Sequence, residues 1–318
     1  MSLMARLETL KDEKPDFDPQ KKNTMQALAQ LVRPRQWVKN SFVFIGLLFT
    51  QNLNQHLILK VIIAAVAFCL VSSAVYVMND FVDRDYDRNH PIKRKRPLAS
   101  NRVTLSAAGL IFALFLLGGL FLGWHVSKIA AGILVLYVAQ NLAYTKGLKR
   151  IVLVDVFIIA LGFMMRILMG TWGVGIPPSE WLLLCGFMVA LFMGFGKRCS
   201  ELNELNADAG LHRPVLERYS PGLLNQLLGI TAGGVIFTYS LYTLDSATVA
   251  LHHTTDLIYS VPFVIYGIFR YLYLIHKGEA GDPSKLVTKD RHLIAVVMLW
   301  VLYVLWTLKL HDLVLGVF

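Results

Sequence analysis

The chain has 318 residues, of which 55% are hydrophobic and 16% charged, against soluble averages of roughly 45–50% and 25%. That composition excludes an ordinary water-soluble globule, and at about 20 apolar residues per membrane crossing it leaves no room for a separate soluble domain. The 31 Lys and Arg against 21 Asp and Glu give a net charge of +10, which favours anionic partners such as lipid headgroups, nucleic acid or phosphorylated substrates.

Residues 1–24 are polar, with Glu8, Asp12, Glu13, Asp16 and Asp18 beside scattered lysines. They read as a disordered cytoplasmic tail without the apolar core of a cleavable signal. From Met25, the apolar residues Leu28, Leu31 and Val32 recur at helical spacing until Pro34, which predicts a short interfacial helix.

Apolar runs then fall near 37–53, 57–78, 104–124, 127–145, 151–171, 180–196, 222–244, 257–276 and 292–310. Each is long enough to cross as a helix, which satisfies its own backbone hydrogen bonds in lipid, and none alternates as a barrel strand does. The expected fold is all-α: a polytopic membrane helical bundle of nine transmembrane helices, forming one domain over residues 25–318. Cys69, Cys185 and Cys199 have no paired or metal-ligand spacing and read as reduced packing residues.

The connections carry the orientation. Residues 1–36, 79–103, 146–150, 197–221 and 277–291 hold 25 of the 31 Lys and Arg, whereas 54–56, 172–179 and 245–256 hold none and 125–128 only Lys128. Positive charge stays inside, so the amino terminus is expected in the cytoplasm and the carboxyl terminus outside.

Chemistry concentrates after the second run, in NDFVDRDYD from Asn79 to Asp87. On a helix, Asn79, Asp80, Asp83 and Asp87 fall within roughly 100 degrees of one face, and Asp85 points elsewhere. Like charges this close at a membrane boundary require a cation or a basic partner. Magnesium suits one or two such carboxylates and completes its shell with substrate phosphates, so Asp80, Asp83 and Asp87 are the expected metal ligands and catalytic residues. Asp85 suits simple salt bridging better. The alternative is a solvated acidic helix end paired with the arginines that follow. Arg88, Lys93 and Arg96 in that basic run, RNHPIKRKRPLAS, would make the carboxylates part of a metal and phosphate cradle.

The stretch Asn79 to Ser100 resembles the first aspartate-rich motif of the UbiA-type intramembrane transferases. Its DRxHPxKxxRP continuation is similar to the branch that transfers phosphoribosyl groups to decaprenyl phosphate. Matching pieces are RPRQWVKN (Arg33 to Asn40), YTKGLK (Tyr144 to Lys149), GKRCSEL (Gly196 to Leu202) and VLERYSPGLL (Val215 to Leu224), so the resemblance covers nearly the whole chain. It implies nine helices, a cytoplasm-facing polar cavity in the inner membrane, and Asn79, Lys39, Asn40, Tyr144 and Tyr219 among the substrate-binding residues. Lys39 could equally snorkel. Prenyl-diphosphate-using relatives carry a second acidic motif where this chain has Lys197 and Arg198. Glu201, Glu204 and Asp208 leave only a residual acidic face, with Glu201 the member kept in the expected site.

Arg166 in mid-span is costly if it faces lipid. Asp155 is near its helical face, but the rise over eleven residues separates them by about 16 Å, so a phosphate or polar pocket is expected around Arg166. Lys149, Arg166, Lys197 and Arg198 would orient the acceptor phosphate. The connection from Lys277 to Arg291 could fold over the cavity as a lid.

The leading reading is transfer of 5-phosphoribosyl from phosphoribosyl pyrophosphate to a polyprenyl phosphate, with Mg2+ as cofactor and membrane lipids as partners, supplying a lipid-linked cell-wall precursor. No nucleic acid is expected, and homo-oligomerisation is left open. The alternatives are a prenyltransferase acting on an aromatic or haem acceptor, and a lipid-phosphate carrier or flippase.

Overall fold

The computed structural model describes residues 24–50, 54–89, 93–205, 214–277 and 289–310. Nearly all of the expected tail, Asp208 and most of the lid segment lie outside these residues. Among the described residues every regular element is helical. The α-helices are α1 (Thr24–Val32), α2 (Ile45–Phe49), α3 (Gln55–Val82), α4 (Arg84–Asn89), α5 (Leu105–Val126) and α6 (Lys128–Lys146). They continue with α7 (Val154–Met169), α8 (Glu180–Leu205), α9 (Pro221–Leu244), α10 (Ser246–His252), α11 (Val261–His276) and α12 (Arg291–Leu305).

Among the described residues, seven helices are long and apolar enough to cross a membrane: α3, α5, α7, α8, α9, α11 and α12, three of them lengthened by an adjoining turn. The expected runs 37–53 and 127–145 take other forms. The second is α6, whose 19 residues extend about 28 Å and include the polar Gln140 and Asn141. The first is a run of 3-10 turns, Pro34–Phe44, followed by the five-residue α2. A Cβ added at Gly170 would collide with the Val43 carbonyl, and one at Gly46 with the Gly170 carbonyl. Backbone therefore lies directly on backbone where α7 ends, and this packing overrides the α-helical spacing of the sequence.

The chain divides into two compact units, residues 1–35 with 73–115 and residues 36–72 with 116–318. In the first, Ala27 and Leu31 of α1 share a core with Val77 of α3, Leu98, Val103 and Ala108. Arg102 ties the basic loop to α1, donating to Gln30 Oε1 at 2.9 Å and to the Lys95 carbonyl at 2.6 Å.

In the second unit α8 packs on both α7 and α9. Glycines allow the first contact: a Cβ at Gly194 would come within 2.6 Å of Val156 Cγ1, and one at Gly186 within 2.6 Å of Ile167 Cδ1. Small residues at such interfaces let helix backbones approach where lipid supplies no hydrophobic drive. Phe192, Phe195, Leu224, Leu228 and Val235 form part of the buried core. Ser220 caps α9 by accepting from Leu223 N, with Pro221 following in the first turn, a position where its missing N–H costs nothing.

Candidate active site

The acidic motif sits where α3 passes into α4. The helical ladder continues through the junction, with Asp83 N bonded to Asn79 O at 2.9 Å and Asp87 N to Asp83 O at 2.8 Å, so these side chains stay on successive turns. Asp80 and Asp87 are buried, at 2% and 1% exposure, while Asn79 and Asp83 are half-buried.

Burying two carboxylates demands counter-charge, and arginines supply it. Arg96 Nη1 bridges the pair, at 3.1 Å from Asp80 Oδ1 and 2.7 Å from Asp87 Oδ2. Arg33 reaches Asp80 Oδ1 from the end of α1, its guanidinium lying 5.0 Å from the Tyr76 ring centroid. Arg33 belongs to a matched motif but was not among the expected site residues. Its role depends on contact across 47 residues of chain, which no local pattern records.

Among the described residues, no three His, Cys, Asp or Glu converge as a metal cluster. The donor set nevertheless fits a hard divalent ion. Asp87 Oδ1 is buried without a hydrogen-bond partner, Asp83 stands one turn away, and carboxylate oxygens are what magnesium prefers.

Other members of the basic run have structural duties. Arg88 pairs with Asp85 at 3.4 Å and donates to Asn101 at 2.9 Å, the salt bridging expected of Asp85. Lys93 lies 5.7 Å from the Tyr86 ring centroid.

A second charged centre joins α7, α8 and the turn before α9. Arg198, 1% exposed, donates from Nε to Asp155 Oδ2 at 2.7 Å and from Nη1 to Glu201. Tyr219 donates to Asp155 Oδ1 at 2.8 Å and accepts from Leu153 N at 2.8 Å. That second bond holds Leu153 at φ 67, a positive φ strained for a side chain of this size. Burial, followed by the hydrogen bond to Asp155, raises the Tyr219 pKa above the ordinary phenol value. Two guanidinium nitrogens of Arg198 are thus fixed, while Nη2 is buried without a partner. Tyr144 lies close enough to interact electrostatically with Arg198. Lys149 and Lys197 are half-buried in the same unit.

Arg166 occupies a closed polar and aromatic cage. It donates to Asn40 Oδ1 at 2.8 Å, the Gly162 carbonyl at 2.6 Å and Tyr137 Oη at 3.3 Å. The rings of Phe68, Tyr137 and Phe163 lie 4.8, 5.1 and 5.4 Å from its guanidinium carbon. Asn40 in turn bonds Ser72 at 3.2 Å. Cation–π attraction and carbonyl acceptors hold this charge without a carboxylate. Lys39, next to Asn40, is half-buried.

Membrane-length helices and buried carboxylates neutralised by arginines suit an intramembrane transferase. Residues 40–300 match the UbiA prenyltransferase family, and the chain belongs to that family. It is 32% identical over 296 residues to the decaprenyl-phosphate phosphoribosyltransferase of Mycolicibacterium smegmatis, covering 88% of this chain and 92% of that one. Against the protein of the same name from Corynebacterium glutamicum it is 34% identical over 291 residues, covering 88% and 86%. A UbiA homolog from Archaeoglobus fulgidus, solved bound to GPP and Mg2+, shares the fold with a TM-score of 0.67 at 18% identity, covering 89% of this chain and 99% of that one.

Proposed function

We propose that the enzyme transfers 5-phosphoribosyl from phosphoribosyl pyrophosphate to a polyprenyl phosphate, releasing pyrophosphate. The similarity to decaprenyl-phosphate phosphoribosyltransferases along 88% of the chain is the observation that carries this reading. The basic pair Lys197 and Arg198, where a second acidic motif would serve a prenyl diphosphate, also supports it.

In this reading Asp80, Asp83 and Asp87 hold magnesium, which when bound neutralises the donor's diphosphate and stabilises it as a leaving group. Arg33 and Arg96, already at these carboxylates, provide planar forks for the diphosphate oxygens. Asp155 and Glu201 fix Arg198 so that Nη2 donates to the acceptor phosphate, and Lys149 and Lys197 add positive charge. The bond from the ribosyl anomeric carbon to the diphosphate oxygen breaks with its electron pair on the diphosphate. A bond from the same carbon to an acceptor phosphate oxygen replaces it. The acceptor is already ionised, so no base is needed and orientation supplies most of the rate. Asn40 and Arg166 brace the helices rather than touch substrate.

The same reading gives nine crossings, with α6 and the segment 34–49 completing the seven, and a single transferase domain. The amino terminus is cytoplasmic, the carboxyl terminus outside, and the charged groups lie at the cytoplasmic boundary of the inner membrane. The test supplies purified protein with magnesium, phosphoribosyl pyrophosphate and a polyprenyl phosphate, and weighs the lipid product. The expected product is the polyprenyl phosphoribose. Labelling from a polyprenyl diphosphate alone, or counterflow in proteoliposomes without product, overturns the reading.

A further inference from the structure

One cavity in the second unit lies apart from its Asp155–Arg198–Tyr219 centre. It measures about 420 Å³ and is bounded by the segment joining α7 to α8 and by the α9–α10 corner. Trp181 on its wall precedes Arg198 by seventeen residues on α8, about 26 Å along the helix axis. The cavity therefore belongs to the opposite end of this unit from the Asp155–Arg198–Tyr219 centre.

Its lining has a single sign of charge. Glu180 and Asp245 contribute carboxylates, Phe49, Trp181 and Tyr242 contribute rings, and no Lys, Arg or His lines it. The connections that form it, 172–179 and 245–256, contain no Lys or Arg at all. Glu180 makes no ion pair with a described residue. Asp245 spends one oxygen on capping α10, accepting from Thr248 N at 3.1 Å and from its hydroxyl at 3.3 Å.

Tyr242 supplies an independent sign of a ligand. It is 2% exposed and lines the cavity, its ring packs edge-on against Phe49 at 5.3 Å, and its hydroxyl bonds to no described residue. The hydroxyl is not sealed from solvent, so it opens onto the cavity, where a bound group can meet it.

The geometry points to a binding site for an organic ammonium group, carried by a lipid headgroup or by a free polyamine. Two uncompensated carboxylates attract the charge, aromatic faces favour an alkylated cation over a hydrated metal ion, and the volume falls in the small-ligand range of about 300–1,000 Å³. Trp181 and Tyr242 are the residue types that sit at a membrane–water boundary, where both sources of the amine are available. This site is independent of the transfer reaction.

The test uses full-length protein in nonionic detergent, in two arms. Native mass spectrometry compares retention of phosphatidylethanolamine with phosphatidylglycerol, and a thermal-shift titration compares spermidine with magnesium at equal ionic strength. The expected result is preferential retention of the ethanolamine lipid, stabilisation by spermidine, or both; the arm that responds identifies the source. Combining Glu180→Gln with Asp245→Asn is expected to weaken binding about tenfold or more. Asn still caps a helix, so the fold is kept. Tyr242→Phe is expected to weaken binding about threefold. Equal binding by the double variant, or retention of phosphatidylglycerol and response to magnesium matching the amines, overturns the proposal.

Discussion

Separating the buried Arg198–Asp155 pair is the most demanding perturbation that the structure offers. Asp155 and Arg198 are 0% and 1% exposed and 2.7 Å apart, so either charge alone is stranded when its partner goes. Removing one member of such a pair costs about 3–5 kcal/mol, whereas replacing both is often near neutral. Asp155→Asn leaves Arg198 with Glu201, which is 24% exposed, placing the cost near the lower end, about 3 kcal/mol. Arg198→Met leaves Asp155 only the Tyr219 hydroxyl, placing the cost near the upper end, about 5 kcal/mol. The double variant is expected to cost about 5 kcal/mol instead of the additive 8 or so, a coupling energy of about 3 kcal/mol, while transferase activity stays abolished. Denaturation of the four proteins in one detergent gives the cycle, and product formation gives activity. Additive losses, or an active Arg198→Met enzyme, would refute the assignment of Arg198 as a buried, acid-held phosphate ligand.

Asp80→Ala and Asp83→Ala should each lower phosphoribosyl transfer at least 100-fold at saturating magnesium, as expected when charge stabilisation of the leaving group is lost; normal turnover in chelator-treated samples contradicts the metal role. Arg96→Ala should raise the donor KM more than the acceptor KM, which steady-state kinetics with each substrate varied in turn will show. Gly194→Ala should destabilise by about 1–3 kcal/mol through overpacking, since its Cβ meets Val156 at 2.6 Å; an unchanged unfolding midpoint argues against the tight α7–α8 contact. Asp290 is held down to about 2, first by its hydrogen bond with Arg270. The unfolded carboxyl titrates near ~3.9, so its stabilisation is present above about pH 4 and fades as pH falls toward 2. The stability gap between the native protein and Asp290→Asn should therefore be larger at pH 7 than at pH 3, and a pH-independent gap excludes the charge pair as its source.

The seven membrane-length helices were legible because apolar runs of that length have few other uses. The α3–α4 motif was legible because its spacing puts four polar side chains on adjoining turns. The path of residues 34–49 was not, since it depends on Gly170 meeting Val43 backbone to backbone, and sequence spacing contains no such long-range contact. Asp155 was weighed only against Arg166 on its own helix, and its partner proved to be Arg198 on the next. Arg166 was expected beside a phosphate or polar pocket because a mid-span charge is costly in lipid. The pocket is polar, with backbone and side-chain oxygens; its three rings, Phe68, Tyr137 and Phe163 from three helices, could not be read from local spacing.

The close seat of Val43 against Gly170 has a consequence for biogenesis. The surface that receives residue 43 is made about 130 residues later in synthesis, a delay of roughly 6 to 25 seconds at ordinary elongation speed. Until then Asn40 can already meet Ser72 of α3 while Val43 lacks its seat, so the last packing step of this segment waits for the end of α7.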